Sequence, residues 1–272
     1  MQLPPYSVLI SVYKKEKAEY LASSLSSMIM QTHMPNEIVL VCDGELTSEI
    51  EATITKFRNQ YPRLLKIVRI EKSVDLGGVL NKGLQYCKNE YIARMDSDDI
   101  SLPNRVERQL TYMVENSLAL CGCSVVEFSD GKTFEHLKSV PQLHKDIIQY
   151  ARKRNPFNHP SVIFTKSAVL AVDGYQQMPF FEDYFLWIRM LKIGARSGNL
   201  SETLLRMRGN AAFYIRRGGI AYCRHLINFW LKVAQIGFIT RPEAVRNVFI
   251  RLIVAIIPNW LRKRVYHYFL RA

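Results

Sequence analysis

Residues 91–99 read Tyr-Ile-Ala-Arg-Met-Asp-Ser-Asp-Asp. Tyr91–Met95 is a short run of buried-strand type, and it stops at Asp96-Ser97-Asp98-Asp99. Short apolar runs bounded by turn formers mark strands covered on both faces. Two carboxylates one residue apart at a strand end can share a hard divalent cation such as Mg²⁺ or Mn²⁺. The same letters also describe an acidic turn that caps the following helix, because Asp is common in turns. The surrounding chain decides how much weight the pattern carries.

Upstream, the same kind of run recurs. Tyr6–Tyr13, Glu37–Cys42 and Leu64–Ile70 read as strands, the second ending at Asp43-Gly44. The stretches between them carry helical spacing: 17–31 with Leu21, Leu25, Met28 and Ile29, 46–60 with Ile50, Ile54 and Phe57, and 76–88 opening on Gly77-Gly78. The order is β-α-β-α-β-α-β over the first 100 residues or so, which predicts a parallel sheet with helices on both faces. Ligands of such sheets bind at the carboxyl ends of the strands. Asp43, Asp96 and Asp98 sit at those ends.

Downstream, a helix begins at Pro103, a residue suited to a first helical turn. A strand over Leu118–Ser129 turns at Asp130-Gly131, followed by a helix over 144–154, a strand over Ser161–Thr165, a helix over 181–193 and an extended stretch over 195–208. From 213 onward the chain reads as helical and basic, and no internal repeat is visible.

The 272 residues are 48% apolar and 22% charged, with 13 Gly and 11 Pro. That composition excludes collagenous, low-complexity and disordered classes. The length suits one large α/β domain, or a domain with an appendage. The net charge of +13 is concentrated: from Arg206 to the C-terminus there are 13 Lys and Arg against one acid, Glu243. The preceding 205 residues hold 24 basic and 23 acidic side chains. A nearly neutral body therefore carries a basic tail, which predicts an anionic partner for that tail.

Five cysteines make an odd number without metal-site spacing. Cys121 and Cys123 share one face of a strand and are expected to be small buried side chains. Met1-Gln-Leu-Pro-Pro has neither the basic nor the apolar region of a signal peptide. These features predict a reducing, cytoplasmic setting. No apolar stretch reaches the roughly 20 residues of a membrane-spanning helix. The nearest, 252–257, is stopped by Pro258 and flanked by Arg251 and Arg262-Lys263-Arg264.

Two further stretches carry chemistry. Leu76-Gly77-Gly78-Val79-Leu80-Asn81-Lys82-Gly83 places a glycine pair where a helix N-terminus can cradle phosphate. It fits neither the dinucleotide-binding nor the P-loop pattern. Phe181-Glu182-Asp183-Tyr184-Phe185-Leu186-Trp187 sets two acids among four aromatics. A carboxylate against apolar neighbours can serve as a general base, and an acid pair is also favoured by the dipole at a helix start.

Taken in order, SVLISVYKKE, VLVCDG, LGGVLNKGL, YIARMDSDD, NHPSVIF and FEDYFLWIRM resemble family 2 glycosyltransferases of the bacterial capsular and exopolysaccharide type. The resemblance covers residues 5–220 and implies a GT-A fold, a Rossmann-like and mostly parallel central sheet flanked by helices. It implies a catalytic domain over 1–212, with a nucleotide-binding half over 1–100 and an acceptor half over 101–212. Ser11, Tyr13 and Glu16 match the segment lining the base pocket, and Asp43 matches the Asp that reads the uracil edge. Asn81 and Lys82 match polar positions beneath the nucleotide. Asp96, Ser97 and Asp98 match the nucleotide-sugar and metal segment, with Asp98 as direct ligand of Mn²⁺ or Mg²⁺ and Asp96 toward the ribose and metal shell. Asp183 matches the catalytic base, with Glu182 beside it. Trp187 and His159 fall on the acceptor side; a packed, hydrogen-bonded role for His159 is the simpler reading. Arg216-Arg217-Gly218-Gly219 resembles a segment of relatives with no settled role.

There are departures. Cys42-Asp43 offers one acid where many members carry two. The Q-x-x-R-W motif of membrane-embedded polymerising members is missing, which predicts addition of a single sugar. The implied activity is inverting, metal-dependent transfer from a UDP-sugar to a lipid-diphosphate-linked saccharide. Residues 213–272 are then expected to form a basic helical region lying on the anionic inner face of the plasma membrane, with the apolar Val245, Val248, Phe249, Leu252, Ile253, Ile256 and Ile257 among seven Lys and Arg from 241 to 272. The competing arrangement is a helix packed on the catalytic domain with a solvated basic face. A nucleic-acid-binding protein is the alternative from charge alone, but no nucleic-acid-binding motif is present and no nucleic-acid partner is expected. A sugar-nucleotidyltransferase would want a glycine-rich basic loop after the first strand; Lys14, Lys15 and Lys17 are there without a glycine.

Overall fold

Alternation along the strands explains the layers of this computed structural model, which describes residues 2–129, 135–209 and 219–256. On β1 (Tyr6–Tyr13), Val8, Ile10 and Val12 join the core beneath α1 (Ala18–Ile29) and α2 (Ser48–Gln60), and Leu9 joins the core on the other face. That second face is covered by α3 (Leu76–Tyr86) through Val79, Leu80 and Leu84. Strands buried on both faces need apolar residues at every position, which is why these runs are continuous. β2 (Glu37–Asp43), β3 (Leu65–Ile70) and β4 (Tyr91–Asp96) complete a parallel half-sheet in the order β3-β2-β1-β4. Thr47 caps α2 at the Ile50 amide, and Asp75 caps α3 by accepting from the Gly78 amide at 2.7 Å.

The second half is mixed. It contains β5 (Ile100–Ser101), α4 (Arg105–Asn116), β6 (Leu120–Phe128), β7 (His136–Lys138), α5 (His144–Ala151), β8 (Ile163–Thr165), α6 (Lys166–Leu170), α7 (Glu182–Lys192) and β9 (Ser197–Arg208). β8 lies antiparallel between β4 and β6, β9 runs parallel to β6, and β5 pairs with the outer edge of β9. The strand expected from residue 161 begins at Ile163, because Pro160 sits in a 3₁₀ turn over His159–Ser161. Two buried side chains of α4 stitch the junction. Arg105 donates to the Arg94 carbonyl at 2.8 Å, and Gln109 donates to the carbonyls of Cys121 and Ser161. Cys121 and Cys123 are fully buried.

Two helices follow, α8 (Ile220–Gln235) and α9 (Arg241–Ile256). α8 buries Leu226, Phe229, Trp230 and Val233 in the same core as α7, with Phe229 stacked on Phe181 at 4.6 Å. α9 docks on the end of α5, where Arg152 holds the Glu243 carboxylate through Nε and Nη2 at 3.1 and 2.6 Å. That fork pulls the Glu243 carboxyl down to about 2. The two helices expose the apolar Ile227, Leu231, Val245, Phe249 and Ile250 and the basic Arg224, Arg241 and Arg246. The Asp130-Gly131 turn, Arg216-Arg217-Gly218 and residues 257–272, with Ile257, Arg262, Lys263, Arg264 and Arg271, lie outside the described residues.

Candidate active site

The carboxyl ends of β1, β2 and β4 meet on one side of the sheet. Ser11 stands in register with Asp96, and Tyr13 with Asp43. Glu16, just past β1, accepts a hydrogen bond from the Ser97 hydroxyl at 2.8 Å and so ties the β1 loop to the end of β4. Asp43 accepts from the Ser73 hydroxyl at 2.8 Å and the Val74 amide at 3.1 Å, which closes the β3–α3 loop over the end of β2. The candidate base-pocket residues are therefore neighbours in space.

At the end of β4, oxygens of Asp96, Asp98 and Asp99 all lie within 4.8 Å of one another. Burial first, then the charges of Asp96 and Glu16, push the Asp98 carboxyl up to about 7. Burial and the same neighbouring aspartates hold Asp99 well above the carboxylate range. Asp99 is 1% exposed; its Oδ1 accepts from the Arg208 amide at 2.7 Å, and its Oδ2 has no hydrogen-bond partner among the described residues. An all-oxygen donor set that repels itself and leaves a buried oxygen unpaired fits a hard divalent cation. Arg94, two residues before Asp96 on the same face of β4, is 1% exposed and pairs with Asp96.

Tyr175 joins this cluster to α7. Burial drives its hydroxyl pKa far up, against the pull of Arg94, while Asp183 and Asp96 add to the rise. Its hydroxyl is hydrogen-bonded to His159 Nε2 at 2.9 Å. Burial and the Arg94 charge hold that imidazole far below its ordinary pKa, so it stays neutral. Asp183 lies in the first turn of α7 and accepts from Asn155 Nδ2 at 2.7 Å. Glu182 packs toward the start of α3, where a Cβ on Gly77 would lie 3.8 Å from its Cγ. Burial pushes its carboxyl up to about 7.

Three of the expected site residues stand apart. Asn81 spends its amide on the fold: Nδ2 donates to the Tyr175 carbonyl at 2.7 Å and Oδ1 accepts from the Tyr175 amide at 2.8 Å. The approach is so close that Gly174, at φ +63°, has no room for a side chain. Lys82 lies on the exposed side of α3, with Nζ 5.6 Å from the Tyr86 ring one turn toward the C-terminus, away from the strand ends. Trp187 is fully buried, edge-on to Phe157 and His159.

The glycosyl transferase family 2 model matches residues 7–173. The amylovoran biosynthesis glycosyltransferase AmsE of Erwinia amylovora is 42% identical over 239 residues, covering 86% of this chain and 88% of its own. The chain belongs to glycosyltransferase family 2. A second family 2 relative, the UDP-Gal:alpha-D-GlcNAc-diphosphoundecaprenol beta-1,3-galactosyltransferase of Escherichia coli, is 33% identical over 266 residues, 97% of this chain and 95% of its own. Among solved structures, S. aureus TarS 1–349 superposes with a TM-score of 0.66 at 16% identity, over 98% of this chain and 75% of that one. The mannosyltransferase of Pyrobaculum calidifontis in complex with GDP-Man and Mn²⁺ gives 0.64 at 15%, over 99% and 82%. The fold is GT-A, and the protein is a glycosyltransferase with relatives named for amylovoran and O-antigen biosynthesis.

Sequence reading missed Arg94, Asp99, Tyr175 and Asn155. Arg94 and Asp99 leave a visible trace, a charge inside an apolar strand and a third acid after the pair. Tyr175 and Asn155 leave none, because their partners lie 94 and 28 residues away.

Proposed function

We propose that this family 2 enzyme transfers one sugar from a UDP-sugar to a saccharide carried on a lipid diphosphate, with inversion at the anomeric carbon. The observation that carries the reading is the oxygen cluster of Asp96, Asp98 and Asp99 at the end of β4; the charges of Asp96 and of Asp183 on α7 both act on the buried Tyr175 hydroxyl. The cluster suits the diphosphate end of a donor, and Asp183 the hydroxyl of an acceptor. Ser11, Tyr13, Glu16 and Asp43 line the base end, and Asp43 contacts the uracil edge. Asp98 and Asp96 would hold a divalent cation, Mn²⁺ or Mg²⁺, which neutralises charge on the departing diphosphate.

Asp183 takes the proton of the acceptor hydroxyl as that oxygen bonds to the anomeric carbon. The bond from that carbon to the donor oxygen breaks, and its electron pair leaves with UDP. A single displacement assisted by one base inverts the centre, by the logic of inverting glycosidases. The lipid-linked acceptor is supported by the activity for which the E. coli relative is named and by the exposed apolar and basic side chains of α8 and α9. Those side chains would seat the enzyme on the anionic inner leaflet as a peripheral protein. No helix among the described residues is long and apolar enough to cross a membrane.

The test is UDP release from a panel of UDP-hexoses, with and without a synthetic GlcNAc-diphospho-lipid, on wild type and Asp183→Asn. The variant is expected to bind UDP normally and to lose at least about 10²-fold in kcat, the scale of general-base loss. Near-normal turnover would overturn the assignment of Asp183.

A further inference from the structure

We propose that Asn155 is a positioning residue for the Asp183 carboxylate. It holds Oδ2 and so helps to set the orientation of the group; this rests on the reading of Asp183 as the base. Asn155 belongs to no regular element. It follows α5 and precedes Pro156, which keeps its backbone extended. Its amide orientation is determined by two opposite demands. Oδ1 accepts from the Phe157 amide at 3.2 Å, so Nδ2 is the atom left to donate to Asp183, at 2.7 Å. A donor to a carboxylate makes a charge-assisted bond that favours the ionised, proton-accepting form.

The loop is tied to the helix that carries Asp183. Before Asn155, the Ala151 carbonyl accepts from the Tyr184 hydroxyl at 2.8 Å. After it, Phe157 packs edge-on to Trp187 at 5.8 Å between ring centres. Residues 183, 184 and 187 lie within two adjacent turns of α7, so one helix carries the base and both of these ties to the loop. From the other side, α9 holds the same loop: Asn247 donates to the Arg152 carbonyl at 2.7 Å and Arg251 to the Lys153 carbonyl at 2.9 Å. A loop tied to both α7 and α9, with an amide donor aimed at the candidate base, is the arrangement that holds a reacting group within a narrow angular range.

The experiment uses the full chain and four variants: Asn155→Ala, Asn155→Asp, Asp183→Asn, and Asn155→Ala with Asp183→Asn. Asn155→Asp keeps an acceptor for the Phe157 amide but puts a second carboxylate beside Asp183 in place of the donor, so Asn155→Ala is the cleaner removal of the donor. Turnover is read as UDP release from the fastest UDP-hexose of the panel, UDP affinity by calorimetry, and folding by thermal melts. Both Asn155 variants are expected to lose about tenfold in kcat, with donor KM and UDP affinity unchanged. In the Asp183→Asn background, Asn155→Ala is expected to cost nothing further. Wild-type kcat in the Asn155 variants, with Asp183→Asn inactive, overturns the positioning role and leaves the base in place. Losses that multiply in the double variant also overturn it, since Asn155 would then act elsewhere. Full activity in Asp183→Asn removes the base and this proposal together.

Discussion

Glu182 and Asp183 are adjacent acids with different surroundings. Asp183 accepts from an amide at the mouth of the site, whereas Glu182 is pressed toward the start of α3 and its carboxyl rises to about 7. A folded-state value above the ordinary 4.5 means that ionising Glu182 opposes folding. The cost is absent below the ordinary value, grows as pH climbs, and is complete above about 7. Glu182→Gln is therefore expected to melt with the wild type at pH 4.5 and above it at pH 8. A gap independent of pH would contradict this. At this scale the places of the acids were legible, because the apolar runs and helical spacing around them mark the strand ends and the helix start. Their supports were not. Asn81 sits among the polar residues of a glycine-rich helix start, yet it serves as a backbone clamp for Tyr175, a role set by a partner 94 residues away.

Among the elements, α3 shows how packing reverses a propensity. Alanine in place of a mid-helix glycine ordinarily gains up to about 1 kcal/mol. At Gly83 the added Cβ would meet Val41 Cγ2 at 2.7 Å and collide with Leu9 Cδ1, both fully buried. Overpacking of that kind costs about 1–3 kcal/mol, so Gly83→Ala is expected to lower the urea midpoint. A higher midpoint would show that α3 can back away from the sheet. β1 and β2 were readable because each is an apolar run covered on both faces, β3 and β4 as short apolar-rich runs, and the helices between them force parallel pairing. β8 was readable as a strand but not by direction. Three residues entering from a proline-containing turn carry no signal of which neighbours they join, and the antiparallel insertion between β4 and β6 emerges only from the assembled sheet.

For the whole molecule, the charge asymmetry of the sequence acquires two faces. The inner side of α9 carries Ala244 and Asn247 and grips the loop that ends in Asn155. The outer side presents Val245 and Phe249, 67% and 66% exposed, among arginines. The basic charge of the tail was legible, but the grip of α9 on the loop after α5 was not, since that depends on where α5 ends. Cutting the chain after residue 240 would disturb both faces, so point changes are the cleaner test. Val245→Glu with Phe249→Glu is expected to abolish sedimentation with anionic vesicles and to leave UDP affinity intact; unchanged sedimentation would assign the face to solvent. The central claim, that the β4 cluster holds a metal under a uridine diphosphate, is tested most directly by calorimetric titration of UDP with and without Mn²⁺ on wild type and Asp98→Ala. The account predicts metal-dependent binding in the wild type and its loss in the variant. Equal UDP binding by both proteins, with or without Mn²⁺, would contradict it.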